Sequence, residues 1–439
     1  MGVRSRPDLR LLPCPSNTPL ASFVFPIIQV GSDGKDKVRR GEDWRRSKHN
    51  STVRASDQPH HHNIDSYVNA GRRAKQMFPM SDIHLWGHDH EGAYRQLPCR
   101  QPEHAYMILW TEDGPTLWRH NVLLFGAVGS VWGYNRFGDA LMNICRSLFG
   151  VPVIHYVDDF GSAEPDFSAP SSFWTFSFVS RLLGLRTKPS KEQGPAPSHR
   201  IQGAIIEFGP TLITVSPTPN RIVKIDAIIN AALSSNILTP DDAGTLAGKA
   251  QHYSTTTFGK IARAPLKPIY ARQHAVPAGH SHSINTKLTH GLRSALETLQ
   301  LVIHSTGPRT LPYESTSGPT ALVYADAFFE IGDQKYHPAR VPDELVWNKT
   351  IARESRNGWG AVVFPVLHST GQTDVRRAIA FRGQVPVETV LEFGSRRAYI
   401  YFLEAFAQVF AGIVMHDILG QDHVTFCDNE AAKHALIRG

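Results

Sequence analysis

Asp89, Asp158 and Asp159 are the side chains whose type and placing first invite chemistry: Asp89 lies in HDHEGAYRQL and the Asp158–Asp159 pair in HYVDDF. Hard magnesium ions take oxygen ligands from carboxylates. In nucleotidyl transfer one such ion makes a 3′-hydroxyl a competent nucleophile and another neutralises the leaving pyrophosphate. For these residues to serve, an Asp at the end of one strand must meet an Asp in the turn of a neighbouring hairpin, within one sheet. Alone, an Asp-Asp pair in a turn is ordinary turn chemistry. A second set of acids stands far downstream, Asp326 in VYADAFFE, Glu404 in YFLEAFAQ and Asp428 in FCDNEAA. For an isolated trio of acids a solvated surface is the default.

The elements that must position the first set are readable from periodicity. Phe137, Leu141, Ile144 and Leu148 recur at helical steps, and Gly150 with Pro152 should end that helix. Val151, Val153, Ile154, Tyr156 and Val157 are β-formers in a short run that places Asp158–Asp159 where a hairpin turns. A further helix is expected over Ser171 to Leu183, stopped by Gly184, and another over Thr239 to Tyr253 behind the start signal Thr239-Pro240-Asp241. The last section reads as strand Ala321 to Ala325 ending at Asp326, strand Gly358 to Phe364, helix Arg397 to Met415, and strand His423 to Cys427 ending at Asp428. That β, β, α, β order suits a separate mixed α/β domain. Pro- and Gly-rich stretches at 189 to 199, 273 to 285 and 305 to 319 read as connectors.

At 439 residues and 41% hydrophobic, the chain is long enough for two or three packed domains and unlike a disordered or fibrous protein. Its net charge is +7, and residues 35 to 54 alone carry eight basic and three acidic side chains. That concentration suits nucleic acid or a phosphate-bearing substrate, and equally a solvated loop or a localisation signal. Cys14, Cys99, Cys145 and Cys427 are too scattered for paired zinc-ligand spacing or a disulfide framework, so a reducing compartment, cytoplasmic or nuclear, is expected. No apolar run reaches the roughly 20 residues of a membrane helix, and no membrane partner is expected. Residues 1 to 20, with four prolines, read as a loose leader. His60, His61 and His62 read as a polar loop, and Trp86 as core.

HYVDDF resembles the Tyr-x-Asp-Asp motif of reverse transcriptases, and DHEGAYRQL their first catalytic motif, with Ala93 and Tyr94 four and five residues after Asp89. LFGAVGSVWGYNRF is similar to the family's Phe-Gly segment before a helix, with Phe125, Gly126 and Tyr134 at matching places. LLGLRTKPSK and IQGAIIEF resemble the later Gly-to-Lys and Leu-Gly segments, with Gly184, Lys191 and Gly203. Upstream, KVRRGEDWRRSKHN resembles the basic fingers segment. The resemblance implies the RNA-directed DNA polymerase of a retrotransposon-type retroelement, using two Mg2+ ions, or Mn2+, on an RNA template, a DNA primer and dNTPs. It gives Asp89 and Asp158 the metals and Asp159 a supporting part. Tyr94 becomes the steric gate against a 2′-hydroxyl, and Phe125 and Gly126 border the incoming base. Lys37 and Arg40 become triphosphate contacts, and Lys191 a proton donor to pyrophosphate or a solvated loop lysine.

The downstream trio resembles the metal ligands of the ribonuclease H-like domain that follows many such polymerases. The family uses a fourth ligand and more secondary structure than follows Asp428, so a truncated domain that binds metal poorly and cuts RNA slowly or not at all is expected. Residues 239 to 272, with a Leu-Ala-Gly-Lys run, resemble the connecting region. The implied fold is α/β (α+β), a right-hand polymerase with an antiparallel palm sheet. Its expected parts are a leader (1–20), a fingers-like segment (21–80), a palm (81–215), a helical thumb and connection (216–304) and a partial ribonuclease H-like domain (305–439). A decayed or domesticated copy that binds nucleic acid without catalysis is the competing expectation; the intact acidic motifs speak against it, the short fingers region for it.

Overall fold

Strand β4 (Ile83–Asp89) shows how the local sequence builds the centre of the first unit, because successive side chains of a strand face opposite ways. Ile83 and Leu85 enter one hydrophobic cluster, with Ile64, Tyr67 and Val68 of helix α2 (Ile64–Met77). Trp86 enters another on the far face, with Leu141 of helix α3 (Val128–Phe149) and Phe173, Phe176 and Val179 of helix α4 (Ala169–Leu182). A sheet covered on both faces leaves its strand ends as the place where charge can emerge.

The computed structural model describes residues 9–12, 21–30, 36–54, 59–257, 263–275, 285–314, 320–331, 334–335, 355–367, 372–389, 399–419 and 423–438. Most of the expected leader and much of the 273 to 285 connector lie outside the described residues. Two compact units divide the chain, one of residues 1–219 with 308–313, the other of residues 220–307 with 314–439.

In the first unit, β4 sits in an antiparallel sheet of order β7-β8-β4-β9, with β7 (Ile154–Tyr156), β8 (Asp159–Pro165) and β9 (Gln193–Ala196). A mixed sheet of order β1-β6-β5-β2-β3 combines β1 (Leu9–Leu12), β2 (Ala21–Val30), β3 (Asp36–Glu42), β5 (Tyr106–Thr111) and β6 (Gly114–His120), with β2 parallel to β5. The basic segment is therefore partly a hairpin strand, followed by the short helix α1 (His49–Thr52). A third, antiparallel sheet takes β10 (Ser198–Ile201), β11 (Ala204–Phe208), β12 (Leu212–Pro217) and β13 (Arg309–Pro312).

Several stretches differ from their sequence reading. Residues 189 to 199, read as a connector, supply β9 and the start of β10; prolines are tolerated there because β9 is an edge strand. The stretch 305 to 319 likewise supplies β13. The run from Val151 gives a strand only at Ile154–Tyr156, while Val151 and Val153 are buried beside α3 and α4 without joining the ladder. Helix ends match their signals: α3 is capped by Gly150 at φ 68° and Gly184 follows α4 at φ 78°, left-handed conformations that glycine adopts freely.

The second unit holds helices α5 (Pro219–Ser235), α6 (Pro240–Tyr253), α7 (Leu266–Gln273) and α8 (His290–Ser305) around Ile225, Ile229, Leu246, Ile269, Leu296 and Leu299. Thr239 caps α6 by accepting from the Asp242 N–H, as the Thr-Pro-Asp signal implied. A five-stranded sheet follows, order β15-β14-β16-β17 with β18 parallel to β14, from β14 (Ala321–Ile331), β15 (Gln334–Lys335), β16 (Ser355–Pro365), β17 (Ile379–Gly383) and β18 (His423–Phe426). Helix α9 (Tyr399–Val414) packs Leu403, Ala407 and Ala411 on its inner face, and α10 (His416–Leu419) and α11 (Glu430–Arg438) follow. β14 runs five residues beyond Asp326, to Ile331, because Ala325, Ala327 and Phe329 continue the inward alternation. Asp326 is thus a mid-strand residue facing outward rather than a strand terminus. The chain is a mixed α/β protein of antiparallel and mixed sheets.

Candidate active site

Asp89, the last residue of β4, lies opposite Asp159, the first residue of β8. Asp158 occupies the turn of the β7–β8 hairpin, between the paired residues Tyr156 and Asp159. Two backbone hydrogen bonds fix this corner: the His90 N–H donates to the Asp158 carbonyl at 3.2 Å, and the Lys188 N–H to the Asp89 carbonyl at 2.8 Å. Val157 holds φ at 54°, a left-handed conformation unfavourable for a β-branched residue and typical of turns kept for a purpose.

The corner is electrostatically crowded. Burial, then repulsion from Asp158 and Asp89, pushes the Asp159 carboxyl up to about 6, and burial with repulsion from Asp89 also raises Asp158. Lys191 forms an ion pair with Asp89. Partial burial works against its charge, but Asp89, Asp159 and Asp158 outweigh that and hold the ammonium above its ordinary range. The donors are hard oxygens and their negative charge is only partly compensated, which fits a divalent magnesium or manganese ion.

Tyr94 stands on a short turn (Ala93–Gln96), its ring edge-on to Phe125 at 5.0 Å and to Tyr134 at 5.4 Å. Its hydroxyl is raised by burial and by Asp158 and Tyr156, so ring and carboxylates share one neighbourhood. Tyr134 is fully buried, and its hydroxyl lies 2.7 Å from His90 Nδ1. Gly126 has φ 82°, a left-handed conformation that favours glycine, and a Cβ there would sit tightly, 3.1 Å from the Glu42 carbonyl. The side-chain amide of Asn50 clamps the same turn, donating to the Gly126 carbonyl at 3.0 Å and accepting from the Val128 N–H at 2.9 Å.

Arg40 is paired with the buried Glu42 at 2.9 Å, and Glu42 also accepts from Trp44 Nε1 at 3.1 Å and faces His120 Nε2 at 3.3 Å. Lys37 lies on β3 opposite Gln29, and its side chain is outside the described residues. Trp86 is core, donating to Glu164 at 2.8 Å, and His62 anchors to the His155 carbonyl at 3.1 Å.

In the second unit, Asp326 of β14, Glu404 of α9 and Asp428 just past β18 bring their ligand oxygens within 4.8 Å of one another. The Gln408 amide donates to the Ala325 carbonyl at 2.7 Å and pins α9 to the strand carrying Asp326. Burial, and then the neighbouring Asp326 and Asp428, push Glu404 up to about 8.

Asn50 and His90 were not singled out from sequence. The only signal for His90 is its place beside Asp89, and Asn50 carries none, since its partners lie 76 and 78 residues away.

No protein-family model matches the chain, and no curated protein matches it. Solved structures similar to it are of a foamy viral protease-reverse transcriptase. The dRH form in complex with double-stranded DNA has 15% identity over 95% of this chain and 59% of that one, with a TM-score of 0.49. Another complex with double-stranded DNA has 14% identity over 98% and 73%, TM-score 0.48. A complex with an RNA/DNA hybrid has 15% identity over 92% and 44%, TM-score 0.48. The chain thus spans 59% of the first of these, and at such scores the roles of its residues rest on the geometry above.

Proposed function

We propose that the chain is the RNA-directed DNA polymerase of a retroelement, joining dNTPs to a DNA primer on an RNA template. The observation that supports this reading best is the ladder register setting Asp89 opposite Asp159 with Asp158 in the adjoining turn. Asp89 and Asp158 would hold two divalent ions, which when bound make the primer 3′-hydroxyl a better nucleophile and neutralise the pyrophosphate. Asp159 would add negative potential to the same corner. The Tyr94 ring, in edge contact with Phe125 and Tyr134, would block a 2′-hydroxyl, and the Phe125–Gly126 turn would offer backbone and an aromatic side chain to the incoming base. Lys191, once released from Asp89, would offer a proton to the leaving pyrophosphate. Lys37 and Arg40 are the triphosphate contacts of the reading. In the second unit, the convergence of Asp326, Glu404 and Asp428 supports a divalent-ion site of three carboxylates, at which cutting of the RNA strand of a hybrid is expected to be slow or absent.

Primer extension on RNA and DNA templates, with magnesium and with manganese, tests the polymerase. Extension lost in Asp158→Asn supports it, and an inert wild type refutes it. The competing reading is nucleic-acid binding without catalysis. Tight primer-template binding without extension would select that reading.

A further inference from the structure

His90 follows Asp89 directly, yet its side chain turns inward and is 1% exposed. It is boxed by Phe160 at 4.7 Å and Phe176 at 5.9 Å, and its Nδ1 meets the Tyr134 hydroxyl at 2.7 Å. Its Nε2 has no hydrogen-bond partner among the described residues. A His and a Tyr hydroxyl in an aromatic box cost desolvation that two apolar rings would not, and one satisfied bond only partly offsets it. Packing alone therefore does not account for the pair.

Direction does. Tyr134 presents its ring at 90° to Tyr94, at 5.4 Å between centroids. Packing holds the fully buried Tyr134 ring, and the hydrogen bond to His90 Nδ1 fixes the position of its hydroxyl end. His90 is itself held by its backbone bond to the Asp158 carbonyl, so the acidic corner and the back wall of Tyr94 share one residue. We propose that His90 and Tyr134 are positioning residues that fix the Tyr94 ring and thereby set discrimination between deoxyribonucleotides and ribonucleotides. The inference rests on the polymerase reading and on Tyr94 as the gate.

The experiment is single-nucleotide extension by the full chain, comparing kcat/KM for a dNTP and the matching rNTP. Tyr134→Phe removes only the hydroxyl and should lower the dNTP-to-rNTP ratio about fivefold, the factor one hydrogen bond commonly commands, mainly through a lower KM for the rNTP. His90→Leu should do the same. His90→Asn, which keeps a hydrogen-bonding atom near the place of Nδ1, should hold the ratio within about twofold, since most of that bond survives. A ratio unchanged in Tyr134→Phe, while Tyr94→Ala loses it, overturns the inference and leaves the polymerase standing. Equal loss in both nucleotide arms, or loss in His90→Asn matching that in His90→Leu, assigns the pair to packing and overturns it as well. A wild type inert toward both nucleotides, or Tyr94→Ala with unaltered discrimination, brings down the parent reading and this inference together.

Discussion

Replacing Lys191 by Met should destabilise the first unit without metal and much less with it. The side chain of Asp89 is 9% exposed and that of Lys191 54%. Ion pairs between exposed partners contribute about 0.2–1 kcal/mol, whereas stranding one partner of a fully buried pair costs about 3–5 kcal/mol. One buried and one half-exposed partner place this pair between those limits. With solvent screening of the ammonium allowed for, the loss is about 1–2 kcal/mol. In a unit of this size that lowers the melting temperature by about 2–8 °C. The assay is calorimetry of the full chain in EDTA and in millimolar MgCl2. A divalent ion bound among the carboxylates substitutes for the lost ammonium, and Asp89 no longer has a lysine to release. The variant should therefore gain more from magnesium than wild type does. Primer extension should fall about a hundredfold if Lys191 delivers a proton to pyrophosphate. Equal losses of stability with and without magnesium would refute the ion-pair argument, and undiminished extension the proton donor.

Gly161→Ala would place a Cβ 2.4 Å from the Trp86 carbonyl, forcing β4 and β8 apart. It should cost about 2 kcal/mol or more in thermal unfolding and reduce extension in parallel, and a variant as stable as wild type would contradict the packing. For Glu42, burial raises the carboxyl, but His120, Arg40 and Trp44 together hold it below its ordinary value of 4.5. A depressed acid adds stability that is full above pH 4.5 and lost as pH falls through the lower folded value. The stability gap between wild type and Glu42→Gln should accordingly close below that pH, and a gap constant down to acid unfolding would contradict it. Asp428→Asn removes one of the acids crowding Glu404, so in EDTA the second unit should melt about 1–3 °C higher. It should also lose its magnesium shift and any cutting of an RNA/DNA hybrid; lower melting or a retained magnesium shift would count against the trio as a metal site.

What the sequence discloses and what it hides divide along a physical line. Helix termini are local: Gly150, Gly184 and the Thr239-Pro240-Asp241 start were readable because the cap and its helix lie within a few residues. The acidic turn was readable for the same reason, since Tyr156 and Asp159 pair across it. β9 was not, because its pairing partner is β4, about a hundred residues earlier, and only that ladder overrides the turn propensity of its Gly and Pro. Asn50 and His90 are hidden likewise. Nothing in an Asn after a basic run, or in a His after an Asp, tells that one will clamp the Gly126 turn and the other tie down Tyr134.

The two carboxylate sets also solve the same electrostatic problem differently, and the difference is measurable. Asp89 has a fixed cation in Lys191, whereas among the described residues none of Asp326, Glu404 and Asp428 is ion-paired. Burial first, and then the unpaired charge of Asp326 and Asp428, push Glu404 up to about 8, so the trio holds a proton near neutrality. A carboxyl raised in the folded state favours folding below its ordinary value and loses that advantage as pH climbs toward the folded value. Metal-free, the second unit should therefore lose stability between pH 4.5 and about 8. Metal must displace that proton, so its affinity there should rise with pH across the same window, with proton release seen by calorimetry in buffers of different ionisation enthalpy. Affinity independent of pH between those limits would show that Glu404 is already ionised, and that some cation compensates the trio as Lys191 does Asp89.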